Sequence, residues 1–172
     1  MRYRTTITAF VAVFISTWLL SPAKAQEVVF VVRHASPPAF LSMDQVKDDT
    51  PLSESGRQRA EALASSLREA GITAIYATDA LRTVQTAEPL AKKLGLPIHQ
   101  VPRRDIDGLV KRLGSDHAKD RVLIINHWNT LPPTLKAFGH PVDVKIEQTA
   151  RDEIFVVVPA AGKPPVVIHL RY

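Results

Sequence analysis

Two unbroken apolar runs dominate the chain, and each ends abruptly on polar residues. Val28-Val29-Phe30-Val31-Val32 runs into Arg33-His34, and Val122-Leu123-Ile124-Ile125 runs into Asn126-His127. Continuous runs of this length suit strands buried on both faces, as in the middle of an α/β sheet. Residues 72–76, 97–101, 154–158 and 166–170 predict four further strands. Between them the period changes to 3.6. Ala60, Leu63, Ala64, Leu67 and Ala70 form the apolar side of a first helix, with Ser53 as its cap and Gly71 as its left-handed stop. A second helix begins near Thr78 or Asp79, either of which can cap it, and runs to Leu94 before Gly95. Ile106, Leu109, Val110 and Leu113 mark a third. A fourth spans residues 130–138, with Pro132 and Pro133 tolerated in its first turn. Strands alternating with helices predict an α/β fold: a three-layer α/β/α sandwich around a mostly parallel central sheet.

Composition narrows the chemistry. The 172 residues are 45% hydrophobic and 23% charged, enough for one domain with a real core. There is no cysteine, which excludes disulfides, thiolate catalysis and Cys-ligated zinc. The formal net charge of +5 falls to +2 once the three cations of residues 1–25 (Arg2, Arg4 and Lys24) are set aside. That mild excess favours anionic substrates, while the lack of a basic helix face or a Lys/Arg run with interleaved aromatics argues against nucleic acid as a partner.

Residues 1–25 read as a secretory signal. Arg2 and Arg4 form the positive start, residues 9–20 the apolar stretch, and Ala23-Lys24-Ala25 a small-x-small cleavage pattern before Gln26. The expectation is a domain of residues 26–172, periplasmic or secreted, with no stable membrane association once the signal is removed. The alternative is a retained N-terminal anchor, for which the apolar stretch is short against the roughly 20 residues a span needs.

The candidate chemistry sits at strand ends, where open α/β sheets bind their ligands. Arg33 is a fixed cation with a planar donor fork suited to phosphate, and His34 a nucleophile, acid or base near neutral pH. Arg82 falls in the first turns of the second helix, again beyond a strand, where free N–H groups favour anions. His127 repeats the arrangement of His34. Asp105 and Asp107 are each able to cap the third helix or to face the site as a general acid. Among the six histidines, His99, His117, His140 and His169 lack the strand-end context. No histidine is paired at ligand spacing, so no metal and no cofactor is expected.

Four segments, in order, carry a family resemblance. Val32-Arg33-His34-Ala35 resembles the Arg-His-Gly signature of the histidine phosphatase superfamily, also called phosphoglycerate mutase-like. Leu52-Ser53-Glu54-Ser55-Gly56-Arg57-Gln58-Arg59-Ala60 resembles its "LT-x-x-G-x-x-QA" helix. The segment from Tyr76 through Arg82-Thr83-Val84-Gln85-Thr86-Ala87 resembles "S-x-x-x-R-(A/T)-x-Q-T-A", and Ile125-Asn126-His127-Trp128-Asn129-Thr130 resembles "GHSNT". The resemblance implies a phosphoglycerate mutase-like fold in which His34 takes up phosphate within a pocket of Arg33, Arg82 and His127. It implies a metal-independent phosphatase acting on phosphomonoesters or phosphoramidates through a phosphohistidine. Its substrate would be a small phosphorylated molecule or a phosphoprotein. Mutase activity is not expected, given short loops and export.

The chain also departs from the family pattern. Ala35 replaces Gly. Asn126 replaces a Gly that tolerates unusual backbone angles. Trp128 replaces a small residue and is placed, with Asn129, to touch the substrate. Where acid phosphatases carry an Asp after the second histidine, this chain carries Trp128, which leaves Asp105 or Asp107 as the acid. A branch without a dedicated acid would act on good leaving groups such as phosphohistidine. These departures also motivate a second reading, a non-catalytic protein that binds phosphate or a phospho-ligand.

Overall fold

The computed structural model describes residues 26–172 except 43, 142, 143, 148 and 161. The signal-like segment 1–25 therefore lies outside the described residues. Six strands and four helices follow in the order β1 (Val28–Arg33), α1 (Glu54–Leu67), β2 (Ala74–Thr78), α2 (Leu81–Leu94), β3 (Ile98–Val101), α3 (Ile106–Asp116), β4 (Arg121–Asn126), α4 (Leu131–Ala137), β5 (Glu153–Ala160) and β6 (Lys163–Arg171). They form one sheet in the order β3-β2-β4-β1-β5-β6. The first four of these strands are mutually parallel, and the terminal β5–β6 hairpin joins antiparallel to β1.

The sheet is covered on both faces. Val28, Phe30 and Val32 of β1 pack with Leu63, Ala64 and Leu67 of α1 and Ala87, Leu90 and Ala91 of α2. Val29 and Val31 point the opposite way, as period-two alternation requires, toward Leu109 and Leu113 of α3 and Leu131 and Leu135 of α4. This is the expected three-layer sandwich. Its consequence for function is positional. The chain leaves β1 toward the α1–α2 face and leaves the neighbouring β4 toward the α3–α4 face. The crevice opens where those exits diverge, at the carboxyl ends of β1 and β4.

Several boundaries differ from expectation for local reasons. β2 starts at Ala74 and reaches Thr78, so Thr78 is a strand residue rather than a cap. The N-cap of α2 is Ala80, with no side-chain cap bond. α1 stops at Leu67, and Gly71 takes its left-handed conformation (φ +69°) only after a further turn closed by Ala70 N–H donating to the Leu67 carbonyl. Pro89 lies inside α2. Among the described residues, no helix is long and apolar enough to cross a membrane.

Candidate active site

The parallel register builds the centre of the site. Arg33 pairs with Asn126, so the residues that follow them, His34 and His127, emerge side by side. The His34 backbone N–H donates to the Asn126 carbonyl (2.9 Å), and the two imidazoles lie 5.1 Å apart, edge to face. Both are buried, at 4% and 3% exposed, although they are polar.

The partners of each ring assign its tautomer. His34 Nδ1–H donates to the Ala35 carbonyl at 2.7 Å, which leaves Nε2 with its lone pair. Arg82 Nε–H donates to that Nε2 (3.2 Å). Arg151 Nη1 stands 3.5 Å from His34 Nδ1, and as two donors meet there the contact is not a hydrogen bond. Arg82 Nη2 donates to His127 Nδ1 (3.3 Å), so His127 carries its proton on Nε2 and donates it to Thr78 Oγ (2.8 Å). Thr78 continues to Thr83 Oγ at 3.0 Å, and Thr83 ends the chain on the Thr78 carbonyl at 2.8 Å.

The loops are tied to the same residues. Arg82 Nη1 donates to the Lys47 carbonyl (2.8 Å). Thr86 Oγ accepts from the Ala35 N–H (3.0 Å). Gln85 Oε1 accepts from the Leu52 N–H (2.8 Å). Asn126 holds the β4–α4 turn with its side chain: Oδ1 accepts from the His127 N–H (3.0 Å) and from the Thr130 hydroxyl, and Nδ2 donates to Thr134 (2.8 Å). Its backbone angle is ordinary, since no described non-glycine residue has positive φ. The expectation that position 126 needs conformational latitude is therefore replaced by a hydrogen-bonding role.

The cavity above the two histidines has a volume of about 150 Å3 and is lined by His34, Arg82, Arg103, His127 and Arg151, with Pro37, Val46, Trp128 and Asn129 toward its mouth. Trp128 and Asn129 thus stand where the sequence placed them. Arg103 and Arg151 were not foreseen. The antiparallel pairing of β5 with β1 puts the start of β5, and Arg151 just before it, beside the carboxyl end of β1. Arg103 pairs with Asp48. Arg33 is 1% exposed and does not line the cavity; its Nη1 donates to the Glu147 (3.1 Å) and Ala150 (3.0 Å) carbonyls.

Asp105 and Asp107 are not brought to the cavity. Asp105 caps α3, accepting from the Gly108 N–H (2.9 Å), and both aspartates are exposed beside a separate hollow that includes Pro133 and Lys136. The helix needs the Asp105 carboxylate for its own free N–H group, and the site loses it as an acid. No described residue lining the cavity is a carboxylate.

Cationic surroundings and burial fix the charge states. Burial pushes the His34 imidazole well below its usual range, with His127, Arg151 and Arg82 pushing the same way and the Ala35 carbonyl opposing. Burial, then Arg103, Arg82 and Arg33, push His127 down to about 3. Burial and Arg151 lower the Arg33 guanidinium to about 9, which leaves it charged at neutral pH. The site therefore presents neutral histidines ringed by cations, an arrangement that suits an incoming anion.

A mutase-like α/β sandwich with paired strand-end histidines in a cationic pocket is a recognisable class. The sequence profile of the histidine phosphatase superfamily (branch 1) matches residues 29–107, which supports membership of that superfamily. It is 40% identical over 76 residues to an "8-oxo-(d)GTP phosphatase" of Mycolicibacterium smegmatis, a stretch covering 44% of this chain and 24% of that protein. It is 38% identical over 76 residues to the "Probable phosphoglycerate mutase GpmB" of Yersinia enterocolitica, covering 44% of this chain and 35% of that protein. The matched stretch thus spans well under half the length of these curated relatives. The protein histidine phosphatase SixA, solved with tungstate, superposes with a TM-score of 0.66 at 20% identity, over 84% of this chain and 96% of that one. The mycobacterial glucosyl-3-phosphoglycerate phosphatase gives 0.64 at 16% identity, over 85% and 98%. These likenesses establish the shared fold.

Proposed function

We propose that the protein is a phosphatase that hydrolyses phosphomonoesters or phosphoramidates through a phosphohistidine on His34. The observation that carries this reading is the 2.7 Å contact of His34 Nδ1 with the Ala35 carbonyl, an acceptor that assigns the proton to Nδ1. With that proton held by the Ala35 carbonyl, the Nε2 lone pair faces the cavity in a neutral ring. The substrate phosphoryl dianion would displace the Arg82 Nε–H from Nε2 and draw it onto an equatorial oxygen. Arg82, Arg103 and Arg151 oppose the charge that spreads over those oxygens in the transition state. Nε2 then forms the P–N bond as the P–O or P–N bond to the leaving group breaks and that group departs with the electron pair. Water attacks the phosphohistidine in a second step, returning Nε2 and releasing phosphate.

With Asp105 and Asp107 directed elsewhere, the reading favours substrates whose leaving group needs little protonation, such as phosphoramidates. The solvent-open site favours water over a retained second acceptor, hence hydrolysis over mutase chemistry. We place its work outside the cytoplasm, on the strength of residues 1–25. The carboxylate-free lining also supports the second reading, phosphate binding without turnover. Hydrolysis of 4-nitrophenyl phosphate separates the two. Turnover is expected, falling on the order of 10^3-fold or more in His34→Ala. Equal activity in parent and variant would refute the proposed mechanism, and tight phosphate binding with no turnover in either would establish the second reading.

A further inference from the structure

The phosphoryl cavity is too small to hold a whole substrate. Its volume of about 150 Å3 lies below the roughly 300–1,000 Å3 of sites that enclose small molecules. The leaving group must therefore extend through the mouth. That mouth differs in chemistry from the floor. Guanidiniums and imidazoles make the floor; the half-buried Pro37, Val46 and Trp128, with the exposed Asn129, make the lip. On the Pro37 side the lip continues into a groove of about 310 Å3, which shares Pro37, Val46 and Arg151 with the cavity and adds the apolar Pro38, Ala39 and Leu41 together with Ser36 and Thr149. Arg151, at the shared boundary, is the only charged side chain among the described residues that line the groove. Phe40, 85% exposed, extends the apolar surface beyond it.

We infer that this lip and groove form a leaving-group subsite for an apolar, planar group, so that the substrate carries its phosphoryl group on an aryl or similar apolar moiety rather than on a polyol. The inference rests on the phosphatase reading for the word "leaving group", but the binding preference it predicts does not need catalysis. Proline faces and an indole offer flat contact to a ring, while Ser36, Thr149 and Asn129 are too few to satisfy every hydroxyl of a sugar, which costs a polyol part of its hydration.

The test uses two primary alkyl phosphates with similar phosphoryl chemistry, 2-phenylethyl phosphate and glucose 6-phosphate. Their dissociation constants are measured by calorimetry on the His34→Ala protein, which cannot turn them over, and their kcat/KM values on the parent. Tighter binding of 2-phenylethyl phosphate, by roughly tenfold or more, is expected. The ratio should collapse toward one in Leu41→Asp and in Trp128→Ser, each read as a ratio so that an added charge cancels. Equal or reversed affinities, or a ratio untouched by both substitutions, would overturn the subsite. Preference in binding without turnover by the parent would uphold the subsite and refute the phosphatase reading.

Discussion

At the scale of single residues, charge and proton placement decide what the site is able to do. Arg82 is the hub: its three donor nitrogens reach His34, His127 and the Lys47 carbonyl. That one side chain aligns both rings and fixes the loop above them. His127 is depressed by burial and by Arg103, Arg82 and Arg33 together, and His34 by burial and by His127, Arg151 and Arg82. A histidine whose folded pKa lies below its unfolded value binds its proton more readily when unfolded. Its contribution to stability is therefore complete above about pH 6.5 and is lost as the pH falls from there toward about 3 for His127. In the free protein, ring 15N NMR should show neither His34 nor His127 titrating between pH 5 and 8. A midpoint near 6.5 for either ring would contradict the account. Part of this scale was readable from the chain alone. Arg33, His34, Arg82 and His127 are legible because strand ends and a helix start deliver them. Arg103 and Arg151 are not, because loops deliver them. What brings Arg151 in is the antiparallel direction of β5 and the grip of Arg33 on the Glu147 and Ala150 carbonyls, neither of which has a local signature.

At the scale of elements, register and close approach do the positioning. The pairing of Arg33 with Asn126 sets the two histidines level, and a shift of one residue would turn one of them to the opposite face of the sheet. α1 is pressed against the segment that follows His34. The Ser36 carbonyl accepts from the Ser53 N–H (2.9 Å) and hydroxyl (3.0 Å), and Ser53 in turn caps Gly56. A Cβ at Gly56 would overlap the Ser36 carbonyl oxygen, a backbone atom with little freedom to move. Gly56→Ala should therefore lose about 1–3 kcal/mol of stability through overpacking, outweighing the roughly 1 kcal/mol that alanine gains in a helix. Thermal unfolding checks this, and an unchanged or raised Tm would show that the helix does not bear on Ser36. The helices and strands themselves were largely legible, since their periods of two and 3.6 are written in the apolar positions. Their ends were less so. Thr78 looks like a cap in sequence, but its hydroxyl is taken by His127, 49 residues away and just beyond the end of β4. Asp105 looked equally fit for cap or acid, and the unfilled N–H group of Gly108 settled it as a cap.

At the scale of the molecule, topology gathers five distant segments into one anion site. β1 and β4 are neighbours although 93 residues separate Arg33 from its partner Asn126, and the helices that follow these strands depart to opposite faces. The sheet thereby leaves an opening at its centre, and the cations of α2, the β3–α3 loop and the approach to β5 converge on it. The family resemblance named His34, Arg82 and His127 for this place, whereas Arg103, Arg151 and the apolar residues at the mouth of the cavity became visible only once the loops were in place. The central claim is a covalent one, and a single-turnover experiment addresses it directly. Protein in excess is mixed with 4-nitrophenyl phosphate, quenched within one turnover, and weighed intact and as peptides by mass spectrometry under conditions that preserve P–N bonds. The account predicts one phosphoryl group on His34, absent in His34→Ala. Release of 4-nitrophenol with no phosphoryl group on His34 at any quench time, or an undiminished adduct in His34→Ala, would contradict it.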